Sequence, residues 1–196
     1  MAAVDPAAAK SGVGGGGHSH LWIFVIALIL IGLLARRMRG PASHRWRRRQ
    51  ARTMNRQLSG RDRDQPPGFV FARLRGMDPL AFEELLLECF ERRGCKVVRN
   101  TRYTGDGGLD GQVVIQGQTW LIQAKRYATS IRPEHVDAFA ALCRARKVSG
   151  LFIHTGRTGP TTRALVERHD HIEIISGERL LALIHGGAIM IRGMSL

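Results

Sequence analysis

The sequence predicts an α/β protein: a mixed β-sheet flanked by helices in the order αβββαβαβα, preceded by a single transmembrane helix. Three features lead there. Residues 21–35 form an uninterrupted apolar run, residues 95–127 hold three short segments rich in β-branched and apolar residues, and from Pro133 onward helical and strand patterns alternate. Consecutive strands followed by alternating elements imply antiparallel and parallel pairs in one sheet with helices on both faces.

With 196 residues the chain has room for one full domain and appendages. Its three cysteines, Cys89, Cys95 and Cys143, sit irregularly inside apolar runs. They cannot close a disulfide framework, which excludes a secreted, disulfide-stapled scaffold and suits a reducing compartment. The net charge of +14 is unevenly spread: residues 1–35 are neutral, residues 36–75 carry 13 Arg against Asp62 and Asp64, and residues 76–196 are near balance at +3. The chain is therefore a neutral head, a basic neck and a balanced body.

The head opens with an Ala- and Gly-rich tract that has almost nothing to bury, so residues 1–17 are expected to be a disordered tail. The run LWIFVIALILIGLLA at 21–35 spans about 22 Å as a helix. That is short of the roughly 30 Å hydrocarbon core, so the expected span, residues 18–37, borrows small and polar neighbours and snorkelling arginines. A signal peptide would carry its positive charge ahead of the run, whereas Arg36, Arg37 and Arg39 follow it. The positive-inside rule then sets the N-terminus outside and the rest in the cytoplasm, at the inner (cytoplasmic) membrane.

The neck has few apolar residues and ends in Pro66, Pro67 and Gly68, so residues 38–76 are expected to be a juxtamembrane linker. Its arginines suit anionic lipid, nucleic-acid phosphate, or a stop-transfer signal that only fixes topology.

In the body, Asp78 is a good N-cap, Pro79 fits the first helical position, and Phe82, Leu85, Leu86, Cys89 and Phe90 recur at helical spacing before Gly94. Strands are expected at 95–100, 109–116 and 119–127, a helix after Pro133, a buried strand at 150–155, a helix at 160–168, a strand at 172–175 and a helix at 178–185. Residues 188–196 are expected to be a tail.

A two-residue turn at Gln116 and Gly117 makes Ile115 face Gln118, and counting outward sets Asp110 opposite Gln123 on the same face as Lys125. Burying charge among apolar strands is costly without partners or a metal. An acid, an amide oxygen and water suit a hard cation such as Mg²⁺, and a nearby lysine can stabilise charge on a phosphoryl group. On spacing alone, a strand-end salt bridge between Asp110 and Lys125 is the simpler account. Glu83 lies at the margin of its helix's buried face, either as a further acid of the site or as a solvated first-turn carboxylate.

Several motifs occur together in order: F-E-E-L-L at 82–86, R-G-C-K-V-V at 93–98, T-G-D-G-G-L-D-G at 104–111, Q-A-K-R-Y at 123–127, T-G-R-T at 155–158 and I-S-G-E-R-L at 175–180. Together they resemble the Mrr-type restriction endonuclease domain of the PD-(D/E)xK nuclease superfamily, over residues 77–187. The resemblance implies a restriction-endonuclease-like fold and Mg²⁺-dependent hydrolysis of DNA phosphodiesters. It assigns Asp110 as the metal-binding acid, Gln123 as the second acidic position in its Gln variant, Lys125 as the catalytic lysine and Glu83 as the helix acid, with metal held by Asp110, Gln123 and Glu83. Asp106 lies in the matching loop. The expected partners are DNA and the membrane, with anionic lipid near the neck, and a homodimer is left open. The rival readings are a non-cleaving DNA-binding module and a membrane adaptor acting through the neck.

Other constellations are weaker. No G-x-x-x-x-G-K-[ST] exists, which excludes a P-loop, and His154, His169 and His171 lack a cysteine pair at zinc spacing and read as core or solvated histidines.

Overall fold

The structure, a computed structural model, describes residues 17–100 and 108–196, with side chains omitted at 17–22, 24 and 31–44. Of the tail expected at 1–17, residues 1–16 lie outside the described residues, as does Asp106, and Gly17 is the first residue of a helix. The chain divides into two compact units, residues 1–44 and 45–196.

Helix α1 covers Gly17–Ser59. Within the first unit, the described apolar side chains Ile23, Val25, Ile26, Leu28, Ile29 and Leu30 are all exposed. The span expected at 18–37 falls largely on residues without described side chains. Among the described residues no helix is long and apolar enough to cross a membrane.

The second unit corrects the expectation of a linker over 38–76. Residues 45–59 are helical, and Ala51, Asn55 and Leu58 are at most 1% exposed, with Met54 packed against the same core. A composition count misses this because a helix needs only one stripe at spacings of three and four to dock, and arginine is itself a good helix former. Helix α2, Pro67–Gly76, uses Pro67 as its first residue and buries Val70 and Leu74. The prolines expected to end a linker therefore begin a helix.

Helix α3, Pro79–Glu91, is capped as expected: the Asp78 side chain accepts a hydrogen bond from the Ala81 amide at 3.0 Å. Glu84, which falls on the polar stripe of α3, is buried beside Arg99. The sheet follows with β1 (Lys96–Arg99), β2 (Gly111–Ile115) and β3 (Gln118–Lys125), all antiparallel neighbours. Gln116 and Gly117, with φ of 46° and 82°, form the two-residue turn, so Ile115 pairs with Gln118 and Gly111 with Ile122.

Helix α4 (Pro133–Ala145) carries the chain to β4 (Ser149–His154), parallel to β3, and α5 (Pro160–Glu167) carries it to β5 (Ile172–Ile175), parallel to β4. The sheet order is β1-β2-β3-β4-β5. Helix α6, Gly177–His185, ends at Gly186 in the left-handed region. Alternation along the strands divides the interior in two. Val113, Trp120, Ile122 and Ile153 pack with α1, α2, α3 and α6, whereas Leu121 and Phe152 pack with Val136, Phe139 and Cys143 of α4. The expected tail is instead a small hairpin, β6 (Met190–Ile191) and β7 (Met194–Ser195), which buries Ile189 and Ile191. Ile189, Ile191, Met194 and Leu196 supply enough apolar surface to hold the chain end on the core.

Candidate active site

Asp110 sits one residue before β2. Its amide donates to the Ile122 carbonyl at 2.9 Å, extending the ladder by one rung. The side chain then folds back across the ladder, and Oδ2 accepts the Ala124 amide at 2.6 Å. One carboxylate oxygen is thereby fixed on the β3 backbone. Burial, opposed by the Ala124 hydrogen bond and by Lys125, raises the Asp110 pKa to about 6.

Gln123 is buried on β3, and its Nε2 donates to the Gly108 carbonyl at 2.8 Å. The amide is thus anchored through nitrogen, leaving Oε1 as its acceptor. Gly108 has φ of 78°, and a Cβ there would lie 2.8 Å from that nitrogen, so only glycine permits the contact as it stands. Lys125 closes β3 on the same face.

Glu83 comes from α3. Its pKa is raised to about 8, first by burial and then by the charge of Asp110, with Lys125 opposing and Glu84 and Asp78 adding to the rise. Four of the residues singled out from the sequence, Glu83, Asp110, Gln123 and Lys125, are therefore brought together, and the two acids feel each other electrostatically.

The site opens on a cleft of about 370 Å³ lined by Gly108, Gln123, Lys125, Arg126, Tyr127, His135 and Ala138. Three of these carry polar groups to which the sequence reading assigned no role. The Tyr127 hydroxyl is hydrogen-bonded to His135 Nδ1, their rings stacked with centroids 6.0 Å apart. Arg126 donates to the carbonyls of Arg75 and Met77, while Arg75 donates to the carbonyls of Tyr127 and Thr155 at 3.0 and 2.7 Å. These four bonds tie the α2–α3 junction to the ends of β3 and β4, and so hold the helix bearing Glu83 against the strand bearing Lys125. The R-Y of the Q-A-K-R-Y motif was the available signal; His135 approaches Tyr127 only because α4 folds back over the sheet.

His154 lies outside this cluster. It is fully buried between Thr158 and the Gly156 amide, and burial lowers its pKa to about 4, so it is a neutral core histidine.

Among the described residues no group of three His, Cys, Asp or Glu is placed to hold a metal. The donors present are two carboxylates and an amide oxygen. They nonetheless fit a hard divalent cation: all are oxygen ligands, and both acids are raised by burial, with Lys125 the one positive charge that opposes the rise.

The Pyrococcus furiosus protein SfsA, solved in complex with Ca²⁺, is similar at 15% identity and a TM-score of 0.35, a likeness too slight to carry an argument. It covers 64% of this chain, and this chain spans 62% of that one. No curated protein matches. The profile of the restriction endonuclease family in its Mrr catalytic form matches residues 74–184, more than half of the sequence and all of the cluster just described. The chain belongs to the Mrr-type restriction endonuclease family.

Proposed function

We propose that this protein is a membrane-anchored, Mg²⁺-dependent endonuclease that hydrolyses DNA phosphodiesters in Mrr-like restriction. The observation that carries the reading is the pairing of two half-buried, mutually repelling acids, Glu83 and Asp110, with Lys125 and an oriented Gln123 amide. Structural ion pairs lower carboxylate pKa values; a cluster that raises them lacks positive charge until something brings it.

A divalent cation held by Asp110, Glu83 and the Gln123 oxygen would supply Lewis acidity and the missing positive charge. Asp110, fixed by the Ala124 amide, presents its second oxygen without a rotamer search. Lys125 donates N–H bonds to the non-bridging oxygens, on which negative charge builds, while a water oxygen bonds to phosphorus and gives up a proton to solvent, and the bond to the leaving sugar oxygen breaks as that oxygen takes a proton from solvent in turn. The Arg75–Arg126 lock keeps the acid of α3 in register with the lysine of β3.

The anchor rests on the apolar run at 21–35, on the arginines that follow it, and on the exposure of its described side chains. The adaptor reading is the less favoured one, because neck arginines are engaged in the fold: Arg47 with Asp78, Arg48 with Glu84, Arg52 with Glu88 and Arg73 with Asp62.

Full-length protein should cut plasmid DNA with Mg²⁺ and not in chelator. Asp110→Ala should lose both cleavage and Mg²⁺ binding by calorimetry. Lys125→Ala should lose cleavage by at least about 10²-fold while still binding the ion. Activity in chelator, or an active Asp110→Ala protein, removes the mechanism. A cytoplasm-dependent reporter fused after Leu196 should be active; silence there, with activity at the N-terminus, reverses the topology.

A further inference from the structure

Away from the cleft, Asn55 of α1 is 1% exposed, and its Oδ1 accepts a hydrogen bond from Arg92 Nη1 at 2.8 Å. That bond fixes which way the amide points. Its Nδ2 is buried and has no acceptor among the described residues. Buried amide donors are seldom left so, and an orphan of this kind marks a place where a ligand or water belongs.

The surroundings say which. Asn55 lines a cleft of about 360 Å³ together with Arg52, Arg56, Glu88 and Arg92, and a second cavity of about 160 Å³ with Cys89, Arg92, Arg93, Ile184 and Gly186. In the larger cleft three guanidinium groups face one carboxylate. That carboxylate, Glu88, is 3.4 Å from Arg52 Nε and 3.9 Å from Arg99 Nη2, so its charge is already answered. Arg92 also donates to Ser59 Oγ at 3.3 Å. The balance of charge is positive, three guanidinium groups against one carboxylate.

From this we infer that the cleft between α1 and α3 is a binding site for a phosphate dianion, either inorganic phosphate or a terminal phosphomonoester. Arg56 and Asn55 of α1 and Arg92 at the end of α3 bring several N–H donors to one cleft, and a tetrahedral dianion with four acceptor oxygens takes up more of them than a planar carboxylate can. Because the Asn55 donor is buried, a slim terminal phosphate is the better match than a phosphodiester inside a nucleic-acid strand, which carries a bulky sugar on either side. The site is independent of the endonuclease reading, since it shares no residue with Glu83, Asp110, Gln123 or Lys125.

The test uses the full chain in chelator, so that divalent-ion binding at the active site does not contribute. Thermal unfolding is followed while sodium phosphate replaces sodium chloride at constant ionic strength, with adenosine monophosphate as a second probe. Wild type and Lys125→Ala should show the same saturable rise in Tm with phosphate. Asn55→Asp keeps the acceptor for Arg92 but turns the spare donor into a carboxylate, and should lose the rise. Arg56→Gln, at an exposed position that cannot endanger the fold, should weaken binding about tenfold. A rise with adenosine monophosphate as well makes a phosphomonoester the ligand; a rise with phosphate alone makes it the free ion. No phosphate-specific rise in wild type, or an equal rise in Asn55→Asp, overturns the proposal and leaves the amide to a bridging water. Equally tight binding of a dinucleoside monophosphate, whose phosphate is a diester, overturns the assignment to a terminal group.

Discussion

Neighbouring residues of α3 carry carboxylates with opposite surroundings. Glu84 points toward β1, where Arg99 Nε lies 2.9 Å from its Oε2 and Arg48 3.7 Å away; the same arginine reaches Glu91 at 2.7 Å. On that side every acid has a guanidinium. The hydrogen bond from Arg99 holds Glu91 below the ordinary carboxylate range, and despite burial Arg99 is itself pushed up. Glu83, one residue earlier, meets another acid, Asp110, and a single lysine, and burial first, then the charge of Asp110, raises its pKa to about 8. The paired side is a seam that fastens α1, α3 and β1. The side short of cations is poised to take one up, and the difference separates structural from chemical charge within a single turn of helix.

The contrast breaks most sharply at the two cations. Arg99→Ala leaves Glu84, which is 3% exposed, without its closest partner. Removing one member of a buried pair should cost about 3 kcal/mol in denaturant unfolding, with cleavage per folded molecule preserved. Lys125→Ala should do the reverse: near-normal unfolding and no cleavage. Equal stability losses in the two variants would erase the distinction between seam and site.

A pH series sharpens the same comparison with a smaller effect. Glu83 and Asp110 have folded pKa values of about 8 and about 6, above their ordinary values of 4.5 and 3.8. The stability each contributes is therefore fully present below its ordinary value and is lost as pH rises through the folded one. In chelator, Tm should fall between pH 6.5 and 9. Glu83→Gln should remove the fall that levels off near pH 8, and Mg²⁺ should flatten the wild-type curve by favouring the ionised acids. His154 acts oppositely: lowered from 6.5 to about 4, it supports the fold above pH 6.5 and gives up that support as pH falls toward 4. A wild-type Tm that does not fall above pH 6.5 in chelator would mean that Glu83 is solvated.

The site was legible where its geometry is local. Strand alternation and the Gln116–Gly117 turn are enough to face Asp110 with Gln123, because a two-residue turn leaves one register. Glu83 needed the docking of α3, and spacing left it undecided between the site and solvent. The neck misled because composition measures how much a segment can bury, whereas Ala51, Met54, Asn55 and Leu58 dock through their spacing. The R-Y of the Q-A-K-R-Y motif flags one partner in each of the Tyr127–His135 and Arg75–Arg126 contacts, but the other partner comes from a different element and no pattern announces it.

The smallest effect tests the glycine beneath the amide. Gly108→Ala places a methyl 2.8 Å from Gln123 Nε2 at φ of 78°, so the fold must absorb a left-handed alanine, at about 1 kcal/mol, and the amide must give way. Because Gln123 is held through that nitrogen, its displacement should carry Oε1 with it. Mg²⁺ affinity should then fall by more than the change in Tm suggests, whereas the Arg99 seam, on the far side of α3, should be untouched. Calorimetric titration of Mg²⁺ beside thermal unfolding separates the two quantities. If Gly108→Ala lowers Tm and binds Mg²⁺ as wild type does, the Gln123 amide positions the loop at Gly108 and takes no part in holding the ion.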